Sequence, residues 1–473
     1  MSLLDVVAIQ PISGDLTVKT NLFVGGLVFG LALAGRSFQV EAAAPERPNI
    51  LFIFADDCGI DSFGCYGSDR AKSFTPNIDA LAKAGTRFDR CYSTPLCGPS
   101  RCVIMTGRYG FRTGGLTNQT AGNASFRDQP SLPRILKQAG YATAMAGKWR
   151  QMSDSPGDWG FDEYITDPTA AGWYWKQSYT KNGKEVSFNK EIYYPDHGSD
   201  FAIEFIRRHR DQPFYFYLAE HLIHGPILQT PDSKPDADPR QHYDDNIRYL
   251  DKTVGKLVAE LDKLGLCEKT LILFSSDNGT SQVGYQPQHD PQLDIGKIGG
   301  RPVNGRKGQL LEGGSRVPLI ANWKGTLPPG GVRTDLIDFS NLLPTFAELA
   351  GAKLPAGVKL DGRSFAPQLR GEAGSPREWI FVQLGAGWYV RDDSWKLNEK
   401  RELFSMKDAP FVEALVAADT TDAAAQAARK RLQVVLDDLD PAGGKTVPAG
   451  ANGNTKAQKK AKRQAKKATA AKT

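Results

Sequence analysis

Three short uninterrupted apolar runs, two of them ending in acidic residues, limit the folds open to this chain more than any other feature. Residues 49–54 read Asn-Ile-Leu-Phe-Ile-Phe and lead through Ala55 into Asp56-Asp57. Residues 213–218 read Pro-Phe-Tyr-Phe-Tyr-Leu, and residues 270–274 read Thr-Leu-Ile-Leu-Phe before Ser275-Ser276-Asp277-Asn278-Gly279. Such runs lack the alternation of a sheet with one wet face, and they predict strands buried on both sides. Between the last two, Ile247, Leu250, Val254, Leu257, Leu261 and Leu264 recur at three- and four-residue spacing, which predicts a helix over 243–264 stopped by Gly265. Strands alternating with helices make this an α/β fold, a sheet sandwiched by helices, and ligands of such sheets gather at the strand C-termini. After about residue 365 the texture changes to short aromatic segments (Trp379–Val382, Trp388–Arg391, Trp395–Leu397), which predicts a small C-terminal antiparallel-sheet subdomain over 366–441.

The 473 residues, 40% hydrophobic and 24% charged, suit a globular protein with a full core. The net charge of +6 is a property of the tail: residues 452–473 hold eight Lys/Arg and no acid, and removing them leaves −2. No specific nucleic-acid partner is therefore expected, and the basic, solvated tail over 442–473 is expected at most to contact acidic polymers or surfaces. Residues 22–34 form an apolar run between Lys19 and Arg36, followed by Ala42-Ala43-Ala44, the anatomy of a signal peptide over 1–44. Export to the periplasm or outside follows, and in that setting the six cysteines (58, 65, 91, 97, 102, 267) are free to form disulfides of undetermined connectivity.

Asp56 and Asp57 end one buried strand and Asp277-Asn278 another. Adjacent buried carboxylates repel unless a cation neutralises them, and an all-oxygen donor set favours Ca²⁺ or Mg²⁺ over zinc. The plain alternative is that Asp56 caps a following turn and Asp277-Asn278-Gly279 is an ordinary tight turn. In Pro95-Leu96-Cys97-Gly98-Pro99-Ser100-Arg101, Pro99 suits the first turn of a helix, and Cys97 would stand at its N-terminus beside Arg101. By themselves these residues read as a reactive cysteine, an oxyanion site or a structural thiol.

Taken together, Ala55-Asp56-Asp57, Cys97-x-Pro-Ser-Arg101 with Thr106-Gly107-Arg108, Gly147-Lys148-Trp149, Asp277-Asn278-Gly279 and Lys307-Gly308-x-x-x-Glu312-Gly313-Gly314-x-Arg316-Val317-Pro318 closely resemble the sulfatase family of the alkaline-phosphatase-like superfamily. The motifs span 49–318 in family order, which implies a catalytic domain over 45–365 with the family's mixed sheet. The resemblance implies that Cys97 is oxidised to formylglycine (3-oxoalanine) by a formylglycine-generating enzyme. One hydroxyl of the aldehyde hydrate would attack sulfur and the other would expel sulfate, an exit that cysteine or serine lacks. It further implies that Asp56, Asp57, Asp277, Asn278 and the Cys97-derived side chain hold Ca²⁺ (or Mg²⁺), that Arg101 holds the hydrate, and that Lys148 and Lys307 clamp sulfate oxygens. His224 would protonate the leaving oxygen; His221 is the weaker candidate and reads as a packed, hydrogen-bonded histidine.

One position departs from the family pattern. Where the family has Gly-Lys-Trp-His, this chain has Gly147-Lys148-Trp149-Arg150, and arginine cannot act as a base. Arg150 is therefore assigned to substrate binding, with slow turnover or a substitute base left open. Residues 172–182 interleave aromatics with lysines, which fits either a surface for a sulfated sugar or a hairpin packed on the sheet. The leading expectation is an exported sulfuric ester hydrolase acting on a sulfated small molecule or polysaccharide. A phosphonate or phosphodiester hydrolase of the same superfamily and a catalytically silent polyanion-binding relative are the alternatives.

Overall fold

A computed structural model describes residues 47–149, 152–167, 174–281 and 296–446. The segment expected as a signal peptide, Arg150 and the tail beyond 446 lie outside the described residues. The first strands are β1 (Asn49–Ala55), β2 (Thr86–Tyr92), β3 (Ala142–Gly147), β4 (Glu163–Thr166), β5 (Trp175–Lys181), β6 (Lys184–Tyr193), β7 (Phe214–Ala219) and β8 (Thr270–Ser276). A small ribbon, β9 (Lys297–Ile298) and β10 (Arg301–Pro302), precedes β11 (Arg316–Asn322), β12 (Gly331–Arg333) and β13 (Ile337–Asp338). The main sheet runs β12-β2-β11-β8-β1-β7-β3-β4-β5-β6, with β13 also paired to β2. Strands β8, β1, β7, β3 and β4 are parallel, while β11 is antiparallel to both neighbours and β5–β6 is an antiparallel hairpin at the far edge, so the sheet is mixed.

The three apolar runs form the centre of this sheet. Ile50, Phe52 and Phe54 join one apolar cluster, with Tyr215, Tyr217, Leu271 and Leu273, and Leu51 and Ile53 join the opposite one, with Phe214, Phe216, Ile272 and Phe274. The first face is covered by helices α2 (Cys97–Thr106), α3 (Leu132–Gln138) and α6 (Leu342–Leu349), and the second by α1 (Pro76–Lys83), α4 (Tyr194–Arg208) and α5 (Pro239–Lys263). Helix α5 starts four residues before the expected 243, because its cap and not its apolar stripe sets the start. Asp238 Oδ1 accepts the N–H groups of Arg240 (2.7 Å) and Gln241 (2.9 Å), and Gln241 Oε1 accepts that of Asp238 (3.0 Å). No helix among the described residues is long and apolar enough to cross a membrane.

The C-terminal aromatic segments form the expected antiparallel meander, extended by two strands: β14 (Ile380–Leu384), β15 (Gly387–Arg391), β16 (Trp395–Asn398), β17 (Leu403–Asp408) and β18 (Val412–Leu415). Phe381, Val390, Leu397 and Leu403 pack on Leu432, Leu436 and Leu439 of α7 (Ala423–Leu439).

Where β3 meets β7, backbones approach so closely that only glycine fits. Gly147 has φ +108°, a Cβ there would lie 1.9 Å from the Ala219 carbonyl oxygen, and Lys148 N–H donates to that same oxygen (2.8 Å). Gly147→Ala is expected to cost at least about 2 kcal/mol of stability, read by denaturant unfolding, because both strain and overlap oppose it. A loss below about 0.5 kcal/mol, on the order of a surface change, would show that the strand ends adjust freely.

Candidate active site

The parallel strands deliver their C-terminal residues to one edge. Asp277 N–H donates to Ala55 O (3.2 Å), and Asp57 N–H donates to Asp277 Oδ1 (3.1 Å), locking the ends of β1 and β8 together. Asp57 has φ +63°, a left-handed conformation that an aspartate keeps when its surroundings hold it. The Asp277-Asn278-Gly279 turn lies against the glycine-rich loop, where a Cβ on Gly279 would sit 1.7 Å from Gly313 O. Asn278 Nδ2 donates to Asp57 Oδ1 (2.8 Å) and to Gly279 O (3.0 Å). Asp57 Oδ2 and Asn278 Oδ1 are left buried without hydrogen-bond partners. Orphaned buried oxygens cost free energy, and their presence beside two more carboxylates fits a hard cation.

Helix α2 brings the second set. Cys97 is its first residue and Arg101 lies one turn on, so both side chains share a face. Cys97 Sγ lies 3.7 Å from Asp56 Oδ1, and burial, then Asp277, pushes the thiol up to about 12. A thiol so held is protonated at neutral pH and is a poor nucleophile. Arg101 Nη2 donates to Asp277 Oδ2 (2.9 Å), and its Nη1 donates to Lys148 O (3.2 Å) and Tyr217 Oη (3.3 Å). Lys148 Nζ pairs with Asp56 and Lys307 Nζ with Asp57. Burial would raise the Asp56 carboxyl, but Lys148 and then His224 outweigh it and hold it down to about 2. Lys307 likewise holds Asp57 below the usual carboxylate range against burial. The carboxylates of residues 56, 57 and 277 are thus matched by the cations of 101, 148 and 307, and a divalent cation would leave this site with the positive excess that an anionic ester needs.

Metal-ligating atoms of Asp56, Asp57, Cys97 and His224 lie within 4.8 Å of one another. His224 Nε2 stands 3.9 Å from Asp57 Oδ2, and burial lowers the imidazole to about 4. Its Nδ1 lies 2.6 Å from Gly225 O, which assigns the proton of the neutral ring to Nδ1 and leaves the Nε2 lone pair facing the site. Every site residue named from sequence therefore meets here except Arg150, which lies outside the described residues. The side chains of His224 and Lys307 reach solvent at 10% and 12%, against 0% for Asp56, Asp57 and Lys148, so the open side of the cluster is theirs.

Residues 174–176 serve a purpose that neither periodicity nor motif spacing reveals. Tyr174, fully buried, donates its hydroxyl to His224 O; Trp175 Nε1 donates to Gln229 O (2.9 Å); Lys176 Nζ donates to Asp167 Oδ2 (3.1 Å), whose Oδ1 faces His221 Nε2 at 3.1 Å. The hairpin braces the histidine loop, and His221 is packed and bonded as expected. Trp175 lies against Tyr193 and Tyr179 against Phe188 and Tyr194, so these aromatics pack within the protein; Trp173 lies outside the described residues. The six cysteines are all unpaired.

Glu220, also missed from sequence, follows β7 directly. It is buried, its Oε1 accepts His221 N–H (2.8 Å), and its Oε2 has no partner. Burial raises its carboxyl to about 7 from an ordinary 4.5, so between those values the folded chain keeps a proton that the unfolded chain has shed. Stability from this group is whole below pH 4.5 and is lost as pH rises through about 7. Glu220→Gln is expected to abolish that decline, worth roughly 3 kcal/mol, in denaturant unfolding at about pH 5 and about pH 8. Equal pH dependence in both proteins would refute it.

The family described as Sulfatase matches residues 48–352. The chain is 32% identical over 331 residues to the N-acetylgalactosamine-6-sulfatase of Canis lupus familiaris, a match that covers 62% of this chain and 60% of that protein. It is 32% identical over 375 residues to Homo sapiens arylsulfatase A, covering 72% and 71%. Its fold matches the crystal structure of Ps i-CgsB in complex with k-i-k-neocarrahexaose with a TM-score of 0.68 and 28% identity, over 86% of this chain and 96% of the other.

Proposed function

The chain belongs to the sulfatase family, and from that premise we propose that it is a periplasmic or secreted sulfatase that hydrolyses sulfate esters of a carbohydrate. The observation that carries this reading is the meeting of Cys97 with three buried carboxylates and three cations at the strand ends. Its buried, protonated thiol suits a residue that acts only after conversion. As formylglycine, position 97 supplies a hydrated aldehyde with one hydroxyl to attack sulfur and a second to release sulfate. Asp56, Asp57, Asp277, Asn278 and residue 97 would hold Ca²⁺, or Mg²⁺, which supplies positive charge to polarise oxygen there.

The chain's own residues do the rest. Arg101, fixed by Asp277 and Tyr217, orients the residue-97 side chain. Lys148 and Lys307 turn from their carboxylate partners to sulfate oxygens, and Lys307 and His224 stand on the side from which the ester enters. His224 Nε2 faces the leaving oxygen; the incoming sulfate's negative charge offsets the burial that keeps the ring neutral, and the protonated ring then donates. Residues 45–365 carry this chemistry and 366–441 form the accessory subdomain. A carbohydrate substrate is supported by the relatives, one an N-acetylgalactosamine-6-sulfatase and one a structure holding k-i-k-neocarrahexaose.

Protein produced with a formylglycine-generating enzyme is expected to show, by intact mass, loss of the Cys97 thiol to an aldehyde. It is expected to release sulfate from sulfated mono- or polysaccharides, to lose activity with a chelator and to regain it with Ca²⁺. Faster hydrolysis of matched phosphate diesters, or full activity with an unmodified Cys97, would overturn the reading. His224→Ala is expected to lower kcat/KM for sugar sulfates by roughly 10²–10⁴-fold and much less for aryl sulfates with activated leaving groups. Equal losses on both would remove the proton-donor role.

A further inference from the structure

Lys307, like His224, is delivered neither by a strand end nor by α2: it rides on a loop between β10 and the single helical turn Glu312–Ser315. The loop backbone is tied to the rest of the site: Lys307 N–H donates to Thr280 O (3.1 Å) and Gly308 N–H to Pro95 O (2.8 Å). From behind it is held by the C-terminal sheet. Lys396 Nζ on β16 donates to Leu310 O (3.1 Å), and Glu413 Oε1 on β18 accepts Glu312 N–H (2.8 Å). Lys396 and Glu413 are ion-paired with each other, their side chains 4% and 1% exposed. A second buried pair stands beside them, Arg391 Nη1 to Glu312 Oε1 at 2.7 Å, and Tyr92 Oη donates to the same carboxylate (3.1 Å to Oε2). Asn304 N–H donates to Pro410 O (2.9 Å), a third tie to the same sheet.

Two buried ion pairs are an expensive way to attach a subdomain, since apolar residues of equal volume would attach it as well or better. What apolar residues cannot do is grip backbone polar groups, and Lys396 and Glu413 grip the carbonyl of residue 310 and the amide of residue 312, three and five residues beyond Lys307. We propose that the C-terminal sheet is a positioning device for Lys307, with Lys396 and Glu413 as positioning residues that set where its ammonium stands relative to Asp57 and Cys97. The Glu312 and Arg391 pair keeps that sheet in register on the loop. This rests on the reading of Lys307 as a holder of sulfate oxygens.

The test is a double-mutant cycle on the full, matured chain, reading kcat/KM for a sulfated sugar or 4-nitrophenyl sulfate and the inhibition constant of inorganic sulfate. Lys396→Met is expected to weaken both by roughly tenfold with Lys307 present and to have little further effect in Lys307→Ala, because the cycle isolates the coupling. Lys396→Arg, which keeps donor and charge, is expected to restore most of the loss. Equal factors with and without Lys307 would mean that Lys396 acts only on general stability, and would overturn the proposal while leaving the role of Lys307 intact. If Lys307→Ala alone changed neither quantity, the sulfate-holding reading itself would fall and this proposal with it. Should Lys396→Met not fold, Glu413→Ala, which removes the acceptor of the Glu312 amide, is run through the same cycle and read by the same two criteria.

Discussion

Three carboxylates with essentially no contact with water must be neutralised, and that requirement organises the structure. Asp56, Asp57 and Asp277 are 0–1% exposed. Arg101, Lys148 and Lys307 reach them from a helix, the end of β3 and a loop. Buried ion pairs stabilise a fold little, if at all, over apolar packing. The cluster is therefore accounted for by what it can bind, and a cation together with an anionic ester is the pairing its charges suit.

Holding that cluster takes close backbone approach at points where a side chain cannot fit. Gly147 lets Lys148 leave β3 against Ala219, and Gly279 lets the Asp277-Asn278 turn meet the Gly313-Gly314 segment. The sheet supplies register, since Ala55 pairs with Ser276 and Gly147 with Ala219, so residues one step further along four strands emerge side by side. Peripheral elements then add precision: residues 174–176 brace the His224 loop, and the C-terminal sheet grips the loop of Lys307. These accessory pieces act through backbone carbonyl and amide groups of the site loops, which explains why aromatic and charged side chains far along the chain end up buried beside them.

Much of this architecture is legible in the order of residues alone. Uninterrupted apolar runs announce strands buried on both faces, because water on either side would demand polar alternation. The acids at their ends and Pro99 in a first helical turn point to a site at the strand ends, and the resemblance of the motifs, in their order, to the sulfatase family brings Cys97, Arg101, Lys148, His224 and Lys307 forward as candidates. Local chemistry also carries the start of α5, whose Asp238-Pro239 and Gln241 form a capping box that apolar periodicity passes over.

By itself, then, the sequence determined the three central strands, the C-terminal meander and which residues are chemically able to act, and the resemblance of its motifs to the sulfatase family placed Cys97 with the carboxylates. Only the tertiary structure decided which side chains hold those residues in place. Tyr174 and His224 are 50 positions apart, and Glu312 and Glu413 are 101 apart, so no periodicity or spacing links them. Glu220, Lys396 and Glu413 look like ordinary surface charges in the chain, and only folding removes water from around them and leaves backbone groups as their partners.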